Sequence, residues 1–227
     1  MKIRIKRGDI FEDFKLPFKS ITLLKALYHI KSYQDQSLTF DASCRSGVCG
    51  SCAVRVNGKE ILACSYRVID GDTIEPLNNH IVERDLRVNR DNIVSNLRRA
   101  RSWIKVLDKN VVITEDNISK FEKQSDCILC SSCYSACPVF EVNQNFLAPF
   151  AFSRVYRYIA DNREIEKREK IDAIQNNGIW DCTLCGACSE VCPQNIDIKT
   201  DILRLRGESS KFGYFDPNFQ SMNFGSF

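Results

Sequence analysis

The sequence predicts an α+β protein in two successive parts, a small mixed part followed by an all-helical one. Residues 2–6 alternate polar and apolar side chains at period two, as a half-buried strand does. Asn57-Gly58, between Ala53–Val56 and the apolar run 61–63, is a hairpin signal, because Asn-Gly supplies the positive φ of a tight turn. From about residue 110 strand patterns become scarce and helical spacing takes over.

The elements follow in chain order. After the first strand, Ser20 stands where it can cap a helix whose apolar positions Leu23, Leu24, Leu27 and Tyr28 recur at helical spacing. The hairpin comes next. Ile93, Leu97, Ala100, Ile104 and Leu107 then form an apolar stripe at spacings of three and four, with Asp91 as its cap, and predict a helix that links the two parts. Arg98, Arg99 and Arg101 lie mostly off that stripe, on a solvated or subunit-facing surface. Thr114 caps a short helix leading to Cys127, and 150–159, 165–174 and 195–205 are further helices. The charge run 161–170 reads as solvated helix surface. Phe212, Phe215, Phe219 and Phe224 punctuate a tail too irregular for an amphipathic helix, which is either flexible or docks on a partner. The expected division is a domain at 1–95, a linker helix at 96–112 and a helical domain at 113–227.

The twelve cysteines carry the chemistry. Cys44, Cys49, Cys52 and Cys64 are separated by four, two and eleven residues, and four-then-two is the plant-type run for a [2Fe–2S] cluster. Cys127, Cys130, Cys133 and Cys137 precede Pro138, and the same spacing returns 55 residues later at Cys182, Cys185, Cys188 and Cys192 before Pro193. That spacing belongs to two-cluster ferredoxins, in which the fourth cysteine of each run ligates the other cluster. It groups Cys127, Cys130, Cys133 and Cys192 at one cubane and Cys137, Cys182, Cys185 and Cys188 at another. Disulfides are disfavoured, because cysteines two or three apart on a tight loop rarely bridge one another. Zinc is disfavoured too, since a zinc ribbon offers paired cysteines and not runs of three with a fourth before proline. Gly47 and Gly50 let the loop 43–51 wrap its cluster and aim N–H groups at the sulfurs, a role favoured over plain turn formation.

Composition excludes other classes. A net charge of +3 spread over 32 basic and 29 acidic residues gives no field for nucleic acid. No apolar run reaches the roughly 18 residues that cross a bilayer, so membrane attachment would need partner subunits. The first residues lack the apolar stretch of a signal peptide. No G-x-G-x-x-G fingerprint occurs, and neither His29 nor His80 has companions suited to acid–base or nucleophilic work, so no catalytic residue is expected.

The run from Ser43-Cys44-Arg45-Ser46-Gly47-Val48-Cys49 to Cys52, Pro76-Leu77 followed by Arg84-Asp85-Leu86, and both later cysteine runs resemble the iron–sulfur subunit of the succinate dehydrogenase/fumarate reductase family. The resemblance covers nearly the whole chain. It implies a β-grasp ferredoxin domain followed by a helical ferredoxin domain, relaying single electrons between an FAD flavoprotein that interconverts succinate and fumarate and a membrane partner that handles quinone. Attachment is then peripheral, on the cytoplasmic face by default or on the periplasmic face if co-exported with a partner. Typical members lack a cysteine where Cys185 stands and carry a [3Fe–4S] third cluster; here a second [4Fe–4S] is favoured over [3Fe–4S]. Typical members also carry tryptophan soon after the position of Cys137, lining the quinone pocket, whereas this chain reads Pro138-Val139-Phe140-Glu141. Both departures resemble the branches that pair this subunit with a cysteine-rich, heterodisulfide-reductase-like partner, methylmenaquinol:fumarate reductases among them. Phe140 and Trp180 receive no catalytic role. The alternatives are a stand-alone iron–sulfur carrier and the wire of another flavoprotein oxidoreductase.

Overall fold

The computed structural model describes residues 1–217. Its contacts divide the chain into two compact units. One comprises 1–93 with 128–136 and 190–195; the other comprises 94–127, 137–189 and, among the described residues, 196–217.

In the first unit, β1 (Lys2–Arg7) and β2 (Ile10–Lys15) form an antiparallel hairpin. Helix α1 (Leu23–Tyr33) follows, then the cysteine loop, then β3 (Ala53–Val56), β4 (Lys59–Leu62) and β5 (Thr73–Glu75). The sheet order is β2-β1-β5-β3-β4, with β5 parallel to β1 and antiparallel to β3, a mixed β-grasp sheet. Its buried face brings Ile3, Ile5, Val54, Val56 and Ile74 against Leu23, Leu24, Leu27 and Ile30 of α1 in one apolar cluster. Asn57 at φ 50° and Gly58 at φ 83° make the tight β3–β4 turn. β6 (Val82–Arg84) and β7 (Arg87–Val88) form a small separate hairpin. Between them Asp85, only 7% exposed, accepts from Arg7 Nε at 3.0 Å and from the Thr39 N–H at 2.8 Å. Its motif thereby anchors the hairpin to the first strand.

Helix α2 (Asn92–Arg99) is shorter than the stripe to Leu107 predicts. Arg101 takes the left-handed conformation at φ 51°, Ser102 N–H bonds Leu97 O at 3.0 Å and Arg101 N–H bonds Arg98 O at 3.1 Å. This is a Schellman end, which closes the helix before the stripe runs out. Val106 and Asp108 instead bond the main chain of Ile165 and Arg163 as an extended segment. Thr114 does cap α3 (Glu115–Ser119), its side chain accepting from the Asn117 N–H. By contrast α1 begins after Thr22 with no side-chain cap: Ser20 stands two residues before the cap position, and its Oγ accepts from Arg67 Nη1 at 3.1 Å.

The remaining helices are α4 (Glu122–Ser125), α5 (Ser132–Ser135), α6 (Pro149–Ala160), α7 (Lys167–Ala173), α8 (Ala187–Glu190) and α9 (Ile198–Lys211). A short 3-10 turn spans Pro138–Glu141. In the second unit α6 packs on α4, α7 and α9. α9 starts three residues later than the sequence suggests, because Asp197 accepts from the Thr200 N–H and caps it there. Phe215 is exposed; Phe219 and Phe224 lie outside the described residues. Among the described residues no helix is long and apolar enough to cross a membrane.

Asp201 of α9 is 1% exposed and accepts from Ser153 Oγ at 2.7 Å and Gln124 Nε2 at 2.8 Å. Burial pushes its carboxyl up to about 6, the two hydrogen bonds opposing only in part. A folded-state pKa above the unfolded one contributes stability at low pH that is lost as pH rises through about 6. Asp201→Asn is therefore expected to stabilise the protein at pH 8 by about 1–3 kcal/mol, several degrees in apparent melting midpoint. The gain should shrink toward pH 5, and melting scans of both proteins across that range check the sign.

Candidate iron–sulfur centres

The plant-type loop lies between α1 and β3. Arg45 at φ 63°, Gly47 at φ 80° and Gly50 at φ 71° curl it so that main-chain N–H groups turn inward. Ser46 N–H points at Cys44 Sγ from 3.4 Å and Cys44 N–H at Cys49 Sγ from 3.5 Å, while Ser51 Oγ sits 3.1 Å from Cys49 Sγ. The Ser46 N–H above all, with Cys49 and the Val48 N–H, draws the Cys44 thiol down to about 6. Cys52 enters β3 and Cys64 leaves β4, side by side across the hairpin, with Ala63 N–H bonding Cys52 O at 3.0 Å. Burial pushes Cys52 up to about 11, and Cys64 and Cys49 add to the rise, so the structure brings Cys52, Cys64, Cys49 and Cys44 into one neighbourhood.

The two later runs repeat in backbone as well as in spacing. Leu129 at φ 52° and Ser131 at φ 67° alternate with Cys130; Leu184 at φ 56° and Gly186 at φ 89° alternate with Cys185. α5 begins one residue before Cys133 and α8 one residue before Cys188. A bulky residue in the left-handed region is uncommon, and its recurrence at matching positions marks one loop conformation used twice.

In the first unit Cys130 and Cys133 are buried and Cys130 feels Cys192 electrostatically. Cys127 directly precedes this segment and ends the turn after α4, its N–H on Gln124 O. In the second unit Cys137, Cys182, Cys185 and Cys188 line a single pocket with Pro138, Leu184, Lys199 and Ile202. Burial, then Cys182, Cys137 and Cys185, push Cys188 up to about 12; burial, then Cys182 and Cys185, push Cys137 up to about 11. Cys185 itself is exposed. Arg206 of α9 fixes the entry to this loop by donating to Ile179 O at 2.8 Å and Cys182 O at 2.7 Å. Trp180 lies under that guanidinium and donates Nε1–H to Gln175 Oε1, and Phe140 packs on Phe146.

These residues fit iron–sulfur clusters. Each set offers only soft thiols, the ligands such clusters take. Thiols buried together resist ionisation unless metal charge compensates them. Around Cys130, Ser131 Oγ and Arg90 Nε are buried donors with no hydrogen-bond partner among the described residues. Among the described residues no three His, Cys, Asp or Glu side chains converge as a lone ion requires. A cluster of several irons spreads its ligands more widely than one ion does.

Sequence reasoning missed Arg90, Ser131 and the left-handed leucines. Only aligning Cys-Ile-Leu-Cys with Cys-Thr-Leu-Cys could have pointed to Leu129 and Leu184. His80 packs on Tyr134 with Nδ1 3.1 Å from Asn89 O, and burial holds it down to about 4, neutral at physiological pH.

The chain matches two family models, a 2Fe-2S iron-sulfur cluster binding domain over residues 3–95 and a 4Fe-4S dicluster domain over residues 123–196. It is 36% identical over 208 residues to the fumarate reductase iron-sulfur subunit of Escherichia coli, covering 87% of this chain and 85% of that one. It is 36% identical over 235 residues to the 8-methylmenaquinol:fumarate reductase iron-sulfur subunit of Wolinella succinogenes, covering 94% and 74%. Its fold matches a chain of the apo Mycobacterium smegmatis Sdh1 complex with a TM-score of 0.83 at 23% identity, over 95% of this chain and 98% of that one. A β-sheet domain with a plant-type cysteine loop, a helical domain with two ferredoxin runs and identity at this level over most of both lengths lead to one conclusion: the chain belongs to the iron–sulfur subunits of the succinate dehydrogenase/fumarate reductase family.

Proposed function

We propose that this subunit carries single electrons between an FAD flavoprotein that interconverts succinate and fumarate and a membrane-associated, quinone-linked subunit. Three clusters supply the one-electron redox steps when bound. Cys44, Cys49, Cys52 and Cys64 would hold the [2Fe–2S], Cys127, Cys130, Cys133 and Cys192 the [4Fe–4S], and Cys137, Cys182, Cys185 and Cys188 the third. The chain's own residues exclude water, turn N–H groups toward sulfur and fix the loops; none is placed for dicarboxylate chemistry. The domain limits 1–95, 96–112 and 113–227 belong to this reading, as does peripheral attachment through partners, on the cytoplasmic face unless the complex is exported.

The observation that carries the reading furthest is Cys185. It occupies the backbone position that Cys130 holds in the first run, between left-handed residues, in a pocket shared with Cys137, Cys182 and Cys188. That favours a third cluster of four irons over three. It also favours the branch resembling methylmenaquinol:fumarate reductase, with a cysteine-rich, heterodisulfide-reductase-like partner.

Purification of the native complex tests the function. An FAD subunit should accompany the chain, and succinate or reduced dye with fumarate should drive its clusters redox-active. A chain isolated without a flavoprotein, or clusters indifferent to both dicarboxylates, sinks the reading. Cys185→Ala tests the ligand: oxidised variant protein should show a three-iron paramagnetic signal that the parent lacks. An equal three-iron signal in anaerobically prepared parent protein contradicts the four-iron assignment.

A further inference from the structure

Arg90 follows the small β6–β7 hairpin and turns its side chain inward. Its Nη1 donates to Gly50 O at 3.1 Å and its Nη2 to Ser51 O at 3.0 Å, both in the plant-type loop. Nε is buried and has no hydrogen-bond partner among the described residues. Of the acidic side chains, Asp41 contributes to its electrostatic surroundings, and Asp41 is itself 3.7 Å from Arg87 Nε. The thiols that feel the guanidinium are Cys130, Cys52 and Cys49. Gly50 is pressed against Cys130 so closely that an added Cβ would lie 2.6 Å from Cys130 Cβ. Two cysteine loops from different parts of the sequence therefore meet at Gly50, and one half-buried cation serves both.

We propose that Arg90 is a positioning residue that raises the reduction potentials of two neighbouring clusters together: the [2Fe–2S] centre of Cys44, Cys49, Cys52 and Cys64, and the cubane that Cys130 helps to hold. This rests on the ligand sets proposed above. Each reduction adds one electron and no proton, so a fixed positive charge in a poorly solvated place favours the reduced form of both. The guanidinium keeps its charge throughout, because arginine does not deprotonate in proteins. By shifting both potentials in the same direction, Arg90 leaves the driving force between them nearly unchanged while setting where both lie. The simpler alternative is that it only ties down the Gly50 and Ser51 carbonyls.

Redox-poised paramagnetic resonance on the intact complex separates charge from hydrogen bonding. Arg90→Gln keeps a donor but removes the charge; Arg90→Lys keeps the charge but loses the fork. Under the proposal Arg90→Gln disfavours reduction of both centres at least tenfold, about 59 mV for a one-electron couple, and Arg90→Lys stays near the parent. The third cluster does not move. Parent-like potentials in Arg90→Gln, or an equal fall in both variants, overturn the proposal. If Arg90→Gln fails to assemble its clusters, Arg90→Lys decides alone: parent-like midpoints support the charge role, and lowered ones contradict it. Parent protein lacking the two-iron or cubane signal would instead overturn the ligand sets, and the proposal with them.

Discussion

Gly50→Val is expected to yield protein that has lost both the two-iron centre and the adjoining cubane. Two independent costs act at this position. Gly50 sits at φ +71°, where a β-branched residue is strained by roughly 1–3 kcal/mol. Its Cβ would also stand 2.6 Å from Cys130 Cβ and 2.7 Å from Cys130 Cα, and the latter cannot rotate away. Relief requires one cysteine loop to move off the other, which displaces Cys49 and Cys52 or Cys130. Gly47→Ala is the matched comparison. It shares a positive φ, +80°, but its added Cβ meets nothing within 4 Å, so it should keep both centres at a modest cost in stability. Iron content and spectra of the two variants measure the difference. Gly50→Val with parent-like signals would show that the close approach of the loops is not needed for assembly.

The second large effect concerns stability. Lys170 of α7 and Glu164 are almost wholly inaccessible, and Lys170 Nζ lies 2.5 Å from Glu164 Oε2. Burial alone would raise the Glu164 carboxyl, but Lys170 and the N–H groups of Lys105 and Glu166 outweigh it and hold it below the usual range. Lys170→Met leaves that carboxylate buried without its cation, a loss of about 3–5 kcal/mol. Apparent melting midpoints at pH 8 should fall steeply, and less so as lower pH lets the orphaned carboxyl take a proton. The double variant Lys170→Met with Glu164→Gln should recover part of the loss: it removes the buried charge, and the single amide oxygen still accepts from one of the two N–H groups, Lys105 or Glu166, that bond separate carboxylate oxygens in the parent. A single variant as stable as the parent would mean that solvent reaches the pair.

The parts of the fold legible in the sequence were those written in local pattern. The first strand, the Asn57-Gly58 hairpin, the Thr114 cap and the helix expected at 150–159 rest on signals within a few residues, as does the last helix, expected at 195–205 and found at Ile198–Lys211. What failed depended on partners far along the chain. The linking stripe stops at Arg99 because a Schellman turn closes it and residues 106–108 pair with 163–165, a competition no window around Leu107 reveals. Ser20 falls two residues short of the cap position, Thr22, and accepts from Arg67, 47 residues away. The cysteine runs stand out in the sequence because cluster ligation imposes spacing on the chain, and the ligand sets drawn from that spacing are proposals. Arg90 was not, since an arginine in a charged stretch looks solvated until Gly50 and Ser51 are folded onto it.

The number and kind of metal centres in this chain decide most directly between a third cluster of four irons and one of three. Anaerobically purified complex, examined by paramagnetic resonance while oxidised and then on stepwise reduction, with iron and sulfide counted, measures them. The expected result is no three-iron signal in the oxidised protein, and one two-iron and two four-iron centres on reduction. A stoichiometric three-iron signal despite anaerobic handling, or fewer than three centres, would contradict it.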